Sequence, residues 1–191
     1  KVIEDFSAEN KRIEYHRQKV NIGAIKNFQF LSDHAKGEYF ILVADDDEID
    51  PPFIEKMLTG LLENPECVIA ITGFDASDLY SQGYTGKEFV QHLQKLPHPD
   101  RYQRMMNYAA QPDYHGKARI LWGLIKTDVF QECYKKTLEP VAHKKDLTFA
   151  ELPVEFKILD YGNLFVVPEN LFHVYLLPSS LGLQEGRLFA K

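Results

Sequence analysis

Apolar and polar positions alternate in blocks along this chain and predict strands and helices in turn. Residues 12–17 alternate between apolar and polar with period two, which predicts a short strand. Residues 21–35 carry apolar side chains near helical spacing, and Lys36-Gly37 behind them supplies a helix stop. Residues 39–43 form an unbroken apolar run, which predicts a strand buried on both faces of a parallel sheet.

The rest of the chain continues this alternation of strands and helices. Residues 52–63 predict a helix with a wide apolar face, and residues 67–71 predict a second buried strand. The remaining predicted elements are helices over 86–96, 101–110 and 127–134, a strand over 119–126, a helical stretch from Asp146 interrupted at Pro153, and strands over 164–167 and 172–177. Such an order of elements indicates an α/β domain.

The composition fits one globular domain with a substantial core, because 45% of the 191 residues are hydrophobic and 26% are charged. A formal net charge of -6 argues against nucleic acid as a partner, since phosphates demand basic patches. No apolar run approaches the ~20 residues that span a bilayer. The two cysteines, Cys67 and Cys133, make neither a disulfide scaffold nor a zinc site. We therefore expect a cytoplasmic protein, either free or peripherally attached to a membrane.

Three carboxylates, Asp45, Asp46 and Asp47, directly follow the apolar run at 39–43. Negative charges packed so closely repel one another unless a divalent cation or hydrogen-bond donors offset the repulsion. Ligands of open α/β sheets bind at the carboxyl ends of strands, where these side chains are expected. The triplet is therefore interpreted either as a metal site or as a solvated acidic turn ahead of Pro51-Pro52.

Four motifs follow one another in order: residues 12–18, Asn21-x-Gly23-x-x-x-Asn27, residues 35–39, and the acidic triplet with Pro51. Their order and spacing resemble those of family 2 glycosyltransferases of the GT-A fold, most strongly over residues 12–63. The resemblance implies a Rossmann-like, mainly parallel sheet flanked by helices. It also implies an inverting enzyme that moves a sugar from a nucleotide-diphosphate sugar, expected to be a UDP-sugar, to a hydroxyl of a glycan or lipid-linked acceptor.

The same resemblance implies roles for the residues of the donor site. A Mn or Mg ion acts on the leaving diphosphate as a Lewis acid. Asp45 and Asp47 are its implied ligands, and Asp45 and Asp46 are implied contacts of the donor. Asn21, Gly23 and Lys26 are implied to lie near the nucleotide, and Trp122 and Gly123 to line the sugar and acceptor pocket. Taken alone, the segment at Asn21 also fits a plain helix start, and a lone Trp also fits a core position.

An inverting transferase needs a general base, and the resemblance assigns that role to an acid that opens a late helix. Asp146 is the best match, although Lys145 stands where the family usually has a second acid. Asp146 also fits a helix-terminal acid without a catalytic role. His173 is interpreted either as a packed strand residue or as a further metal ligand.

The resemblance implies a single domain over residues 1–191, with a nucleotide and metal part at 12–75 and an acceptor part at 76–191. It also implies that the family's first two strands lack a counterpart here, so we expect an incomplete nucleotide pocket and a longer natural protein. The alternative function is a non-catalytic, glycosyltransferase-like binding or assembly module. The oligomeric state is left open by the sequence.

Overall fold

The computed structural model describes residues 2–45, 47–76, 86–112, 117–138, 140 and 151–174. Among these residues, the α-helices are α1 (Val2–Glu9), α2 (Ala24–His34), α3 (Phe53–Glu63), α4 (Gly86–Leu93), α5 (Arg101–Ala110), α6 (Thr127–Leu138) and α7 (Glu151–Tyr161). The strands are β1 (Tyr39–Phe40), β2 (Asp47–Ile49), β3 (Cys67–Ala76), β4 (Leu124–Lys126) and β5 (Asn163–Val174). A 3-10 helix spans Lys117–Trp122.

The five described strands form one sheet in the order β1-β4-β3-β5-β2. Only β3 and β5 pair in parallel, whereas β4 is antiparallel to both β1 and β3, and β2 is antiparallel to β5. A mixed α/β fold is therefore confirmed, but a mainly parallel sheet is not. The strands of the predicted βα alternation, β1, β3 and β5, do share one direction. The antiparallel pairings arise because two three-residue strands, β2 and β4, are inserted beside them.

The core lies between this sheet and the helices packed on it. On α3, Phe53, Met57 and Leu61 are buried at helical spacing, which confirms the apolar face predicted for this helix. The helix predicted over 101–110 is present with the same ends. The helices predicted over 21–35, 86–96 and 127–134 are present with shifted ends. The strand predicted at 67–71 is present and is longer, reaching Ala76.

The strand predicted over residues 12–17 is absent, because this stretch is irregular in the structure. Two of its side chains contact α2 or the segment directly after it instead of a neighbouring strand. Lys36 Nζ donates a 2.7 Å hydrogen bond to Glu14, and the His16 ring lies 5.3 Å from the Phe30 ring. Residues 12–17 are all exposed, so their alternating pattern does not correspond to a buried and a solvent-facing side.

The buried strand predicted over 39–43 is mostly wrong. Only Tyr39 and Phe40 pair, and β1 lies at one edge of the described sheet. Leu42 is buried, but Val43 is 46% exposed. An apolar run alone does not distinguish a central strand from an edge strand, since burial depends on the neighbours that pack against it.

Three further element boundaries differ from the prediction. Residues 119–126 are divided between the 3-10 helix and β4, because Gly123 donates a turn-closing hydrogen bond to Ile120 O at 3.0 Å. β5 continues through Pro168 as one strand with an irregular register. The described part of the late helix spans Glu151–Tyr161 and includes Pro153, so the helix is not interrupted there, and the predicted start at Asp146 lies outside the described residues.

Candidate donor and acceptor site

The carboxyl ends of β1, β3 and β5 lie on the same side of the sheet. The chain leaves β1 at one edge of the sheet and returns as β2 at the other edge. The acidic segment between them therefore runs along the end of the sheet where the carboxyl ends of β1, β3 and β5 lie. There Asp47 is paired with Val174 near the end of β5, and Asp75 near the end of β3 is paired with His173. Asp47 therefore lies at the carboxyl end of β5, one strand away from the end of β3.

Two of the three predicted carboxylates are described. Asp45 lies in a turn and is exposed, whereas Asp47 is half-buried as the first residue of β2. The Asp47 N–H donates to Ala44 O at 3.4 Å, which closes the turn between them. Asp46 lies outside the described residues. In the described part of the chain, no three His, Cys, Asp or Glu side chains are arranged to hold a metal ion by themselves.

A surface depression of about 330 Å³ lies ahead of α2 and is lined by Gln18, Asn27 and residues 20–24. Asn21 Oδ1 accepts a 2.9 Å hydrogen bond from Gly23 N–H, which folds the chain back on itself at this point. Gly23 has a φ of 80°, a conformation that other L-residues rarely adopt. Asn21 and Gly23 are thus brought together on one wall of the depression.

The depression opens onto the N-terminus of α2. Gly23 is the N-cap and provides no side-chain hydrogen bond to the first turn of the helix. Backbone N–H groups at such a terminus favour an anionic group. Lys26 is exposed on this first turn but does not line the depression.

Trp122 connects the predicted acceptor side to α2. Its half-buried ring meets the Phe28 ring edge to face, with the centroids 5.9 Å apart. Gly123 is buried, and a Cβ at this position would lie 2.5 Å from Ala70 O. Trp122 therefore packs against the helix that follows the depression, while Gly123 fills a space that admits no side chain.

A buried carboxylate supports the segment that carries Trp122. Glu155 on α7 is fully buried and accepts hydrogen bonds from Leu121 N–H at 3.3 Å and from the Tyr108 hydroxyl at 2.5 Å. The sequence analysis missed this residue. Its signal was an acid within an otherwise apolar part of a helix, but its partners come from α5 and the 3-10 helix, which are distant in sequence.

The two remaining expectations concern acid–base and metal chemistry. Asp146 lies outside the described residues. The first described residue of the late helix is Glu151, an acid that the sequence analysis did not consider as a base. The His173 imidazole faces two carboxylates, with Nε2 3.3 Å from Asp50 Oδ2 and Nδ1 3.7 Å from Asp75 Oδ2.

Comparison with known protein families identifies the class of this fold and site. The family model described as glycosyl transferase family 2 matches residues 1–122, which include α2, β1 and the acidic segment. The chain therefore belongs to the family 2 glycosyltransferases, as the sequence motifs predicted. No curated protein matches the chain. None of the described helices is long and apolar enough to cross a membrane.

Proposed function

We propose that this chain transfers a sugar from a nucleotide-diphosphate sugar to an acceptor hydroxyl, with inversion and with the help of a divalent cation. The observation that carries the proposal is the family match over residues 1–122. The site geometry supports it, because acidic residues lie at the carboxyl ends of parallel-running strands, where α/β proteins bind ligands.

The donor diphosphate is proposed to bind between the depression and the acidic segment. The uncapped N-terminus of α2 supplies backbone N–H groups for an anion, and Lys26 on the same turn adds a positive charge. Asn21 holds the backbone at Gly23 in the conformation that exposes these groups.

Asp45 and Asp47 are proposed to hold Mn²⁺ or Mg²⁺ together with the diphosphate. Their carboxylates are hard oxygen ligands, and Mg²⁺ is usually bound through one or two carboxylates plus substrate phosphates. A set of two carboxylates therefore suffices when the donor completes the coordination. A cation held there would neutralise charge on the departing nucleotide diphosphate. Asp46 is proposed as a further donor contact.

The acceptor hydroxyl requires a base that removes its proton during the transfer. Asp146 remains the prediction from sequence, and Glu151 is the second candidate because it is the first described residue of α7. Trp122 and Gly123 are proposed to border the acceptor, since Glu155 fixes the segment before them through Leu121 N–H.

The first experiment is isothermal titration of UDP into the protein, with and without Mn²⁺. We expect binding that depends on Mn²⁺ and that is lost in Asp47→Ala. Asp33→Ala, which removes an exposed carboxylate from α2, is the control and should bind as the wild type does. Absence of UDP binding under both conditions would contradict the proposed donor site.

A second experiment separates the two candidate bases by sugar transfer from a UDP-sugar to water or a model acceptor. Asp146→Asn and Glu151→Gln are compared. Substitution of the residue that acts as the base should lower kcat by about 10²–10⁴-fold, with little change in UDP affinity. Glu169→Gln, an exposed acid on β5, is the control. Wild-type activity in both variants would exclude both residues as the base.

A non-catalytic binding module is the second candidate function. The observation that favours it is the open surroundings of the acidic segment, where Val43 is exposed beside the edge strand β1. A module of this kind would bind UDP and Mn²⁺ without transferring or hydrolysing the sugar.

A further inference from the structure

The strand that carries Asp47 is short and lies at the edge of the described sheet. β2 consists of three residues paired with β5, with Asp47 opposite Val174, Glu48 opposite His173 and Ile49 opposite Phe172. One more hydrogen bond follows, from Asp50 N–H to Leu171 O at 3.0 Å. Because edge strands of this length fray readily, contacts beyond the backbone pairing contribute to holding β2 in place.

A side-chain bridge spans the three strands at this point. His173 lies on the central strand β5, and its two ring nitrogens face Asp50 just after β2 and Asp75 on β3. The distances are 3.3 Å from Nε2 to Asp50 Oδ2 and 3.7 Å from Nδ1 to Asp75 Oδ2. We name this group, His173 with Asp50 and Asp75, the His173 bridge.

The β3 end of the bridge is itself anchored. Asn170 Nδ2 donates a 2.6 Å hydrogen bond to Asp75 Oδ1, the oxygen that does not face His173. The His173 side chain is 29% exposed, whereas the Asp50 and Asp75 side chains are 42% and 53% exposed. The imidazole is thus the least exposed member, and it separates two carboxylates that would otherwise repel each other.

We propose that His173 is a positioning residue for Asp47: by tying Asp50 to β5 and β3, it fixes β2 and with it the Asp47 carboxylate. The proposal deepens the proposed function, since its consequence for metal binding rests on Asp47 as a ligand. Metal ligands depend on neighbours that fix their orientation, and loss of such neighbours typically lowers affinity. His173 itself remains engaged with the two carboxylates and is no metal ligand.

The test compares three substitutions of His173. His173→Gln can place an amide N–H near the position of Nε2 and keep the contact with Asp50. His173→Asn reaches only the position of Nδ1, towards Asp75, and His173→Leu removes both contacts. The bridge therefore predicts that Gln restores what Leu and Asn lose.

The first readout is hydrogen exchange of the amides of residues 47–50 without metal. In His173→Leu and His173→Asn they should exchange about tenfold faster, because the edge strand then loses its side-chain contact with β5 and opens more often. His173→Gln should exchange at nearly the wild-type rate. Lys56→Met is the matched control, because it breaks a different ion pair to β5, with Glu169, and should leave these amides unchanged.

The second readout is the affinity for Mn²⁺ alone, measured from the electron paramagnetic resonance signal of the free ion. We expect about a tenfold loss in His173→Leu and recovery in His173→Gln. Unchanged exchange at residues 47–50 in His173→Leu would overturn the proposal, and so would equal effects of Gln and Leu. If exchange rises as expected but the wild type binds no Mn²⁺, the bridge stands and the proposed metal site fails.

Discussion

Gly123 shows how a single residue beside the candidate site is fixed by packing. A Cβ at this position would lie 2.5 Å from Ala70 O and 2.7 Å from Ile71 Cγ2, both on the neighbouring strand β3. The backbone oxygen cannot move without disturbing the sheet. The residue that the motif assigns to the acceptor pocket therefore also lets β4 approach β3.

Gly123→Ala should consequently destabilise the protein. We expect a loss of about 1–3 kcal/mol in the free energy of unfolding, the usual range for added volume in a packed core. Urea unfolding followed by circular dichroism measures it. Ala109→Ser, on an exposed part of α5, should change the stability little. Equal stability of Gly123→Ala and the wild type would contradict the close contact.

The two cysteines give a second prediction for single residues. Burial raises the pKa of the Cys67 thiol to about 11 and that of the Cys133 thiol to about 12. Since the thiolate is the reactive form, both should react slowly with iodoacetamide in the native protein at pH 8 and quickly in urea. Mass spectrometry of the alkylated peptides measures this, and rapid native labelling of either cysteine would contradict its burial.

Among the elements, α5 illustrates a helix whose start is encoded locally. Asp100 precedes the helix with extended backbone, and its Oδ1 accepts a 2.8 Å hydrogen bond from Gln103 N–H. This N-cap satisfies one of the N–H groups left without an intrahelical partner. The local signal explains why the sequence predicted residues 101–110 with the observed ends.

Asp100→Ala should therefore lower the free energy of unfolding by about 1 kcal/mol, the typical contribution of an N-cap side chain. Asp100→Asn keeps an accepting oxygen and should lose much less. Both changes are measured by urea unfolding at pH 7. If the Asn and Ala variants lost the same stability, the cap would not be the cause.

Other elements were mispredicted where the outcome depends on distant neighbours. Residues 12–17 have the pattern of a strand, but their contacts come from Phe30 on α2 and from Lys36 just after this helix. Pro153 was interpreted as an interruption of the late helix, but it lies within the described helix α7 (Glu151–Tyr161).

At the scale of the whole molecule, a charged network joins α5 to α7. Arg104 is buried and donates hydrogen bonds from Nε to Leu159 O and from Nη1 to His98 O and Pro99 O. Nearby, Asp160 lies 2.7 Å from Lys157 Nζ and 2.5 Å from Arg101 Nη2. The hydrogen bond from Lys157 is the main cause that lowers the pKa of Asp160.

This lowered pKa predicts how stability depends on pH. A carboxyl group with a lower pKa in the folded state contributes stability at neutral pH, and the contribution is lost as the pH falls through the folded pKa. Asp160→Asn should thus be less stable than the wild type at pH 7, and the difference should shrink below about pH 4, the ordinary range of aspartate. Urea unfolding at several pH values measures it. Asp33→Asn, on the exposed side of α2, serves as the control, and a difference that persists at low pH would contradict the prediction.

The sequence by itself determined the family, the acidic segment after the first apolar run, the turn at Asn21 and Gly23, and most of the helices. These features depend on interactions within a few residues, which spacing and side-chain type encode directly. The tertiary structure decided the mixed strand directions, the support of Leu121 by Glu155 and the His173 bridge. Each of these joins residues far apart in sequence, and no local pattern specifies which distant side chain will meet another.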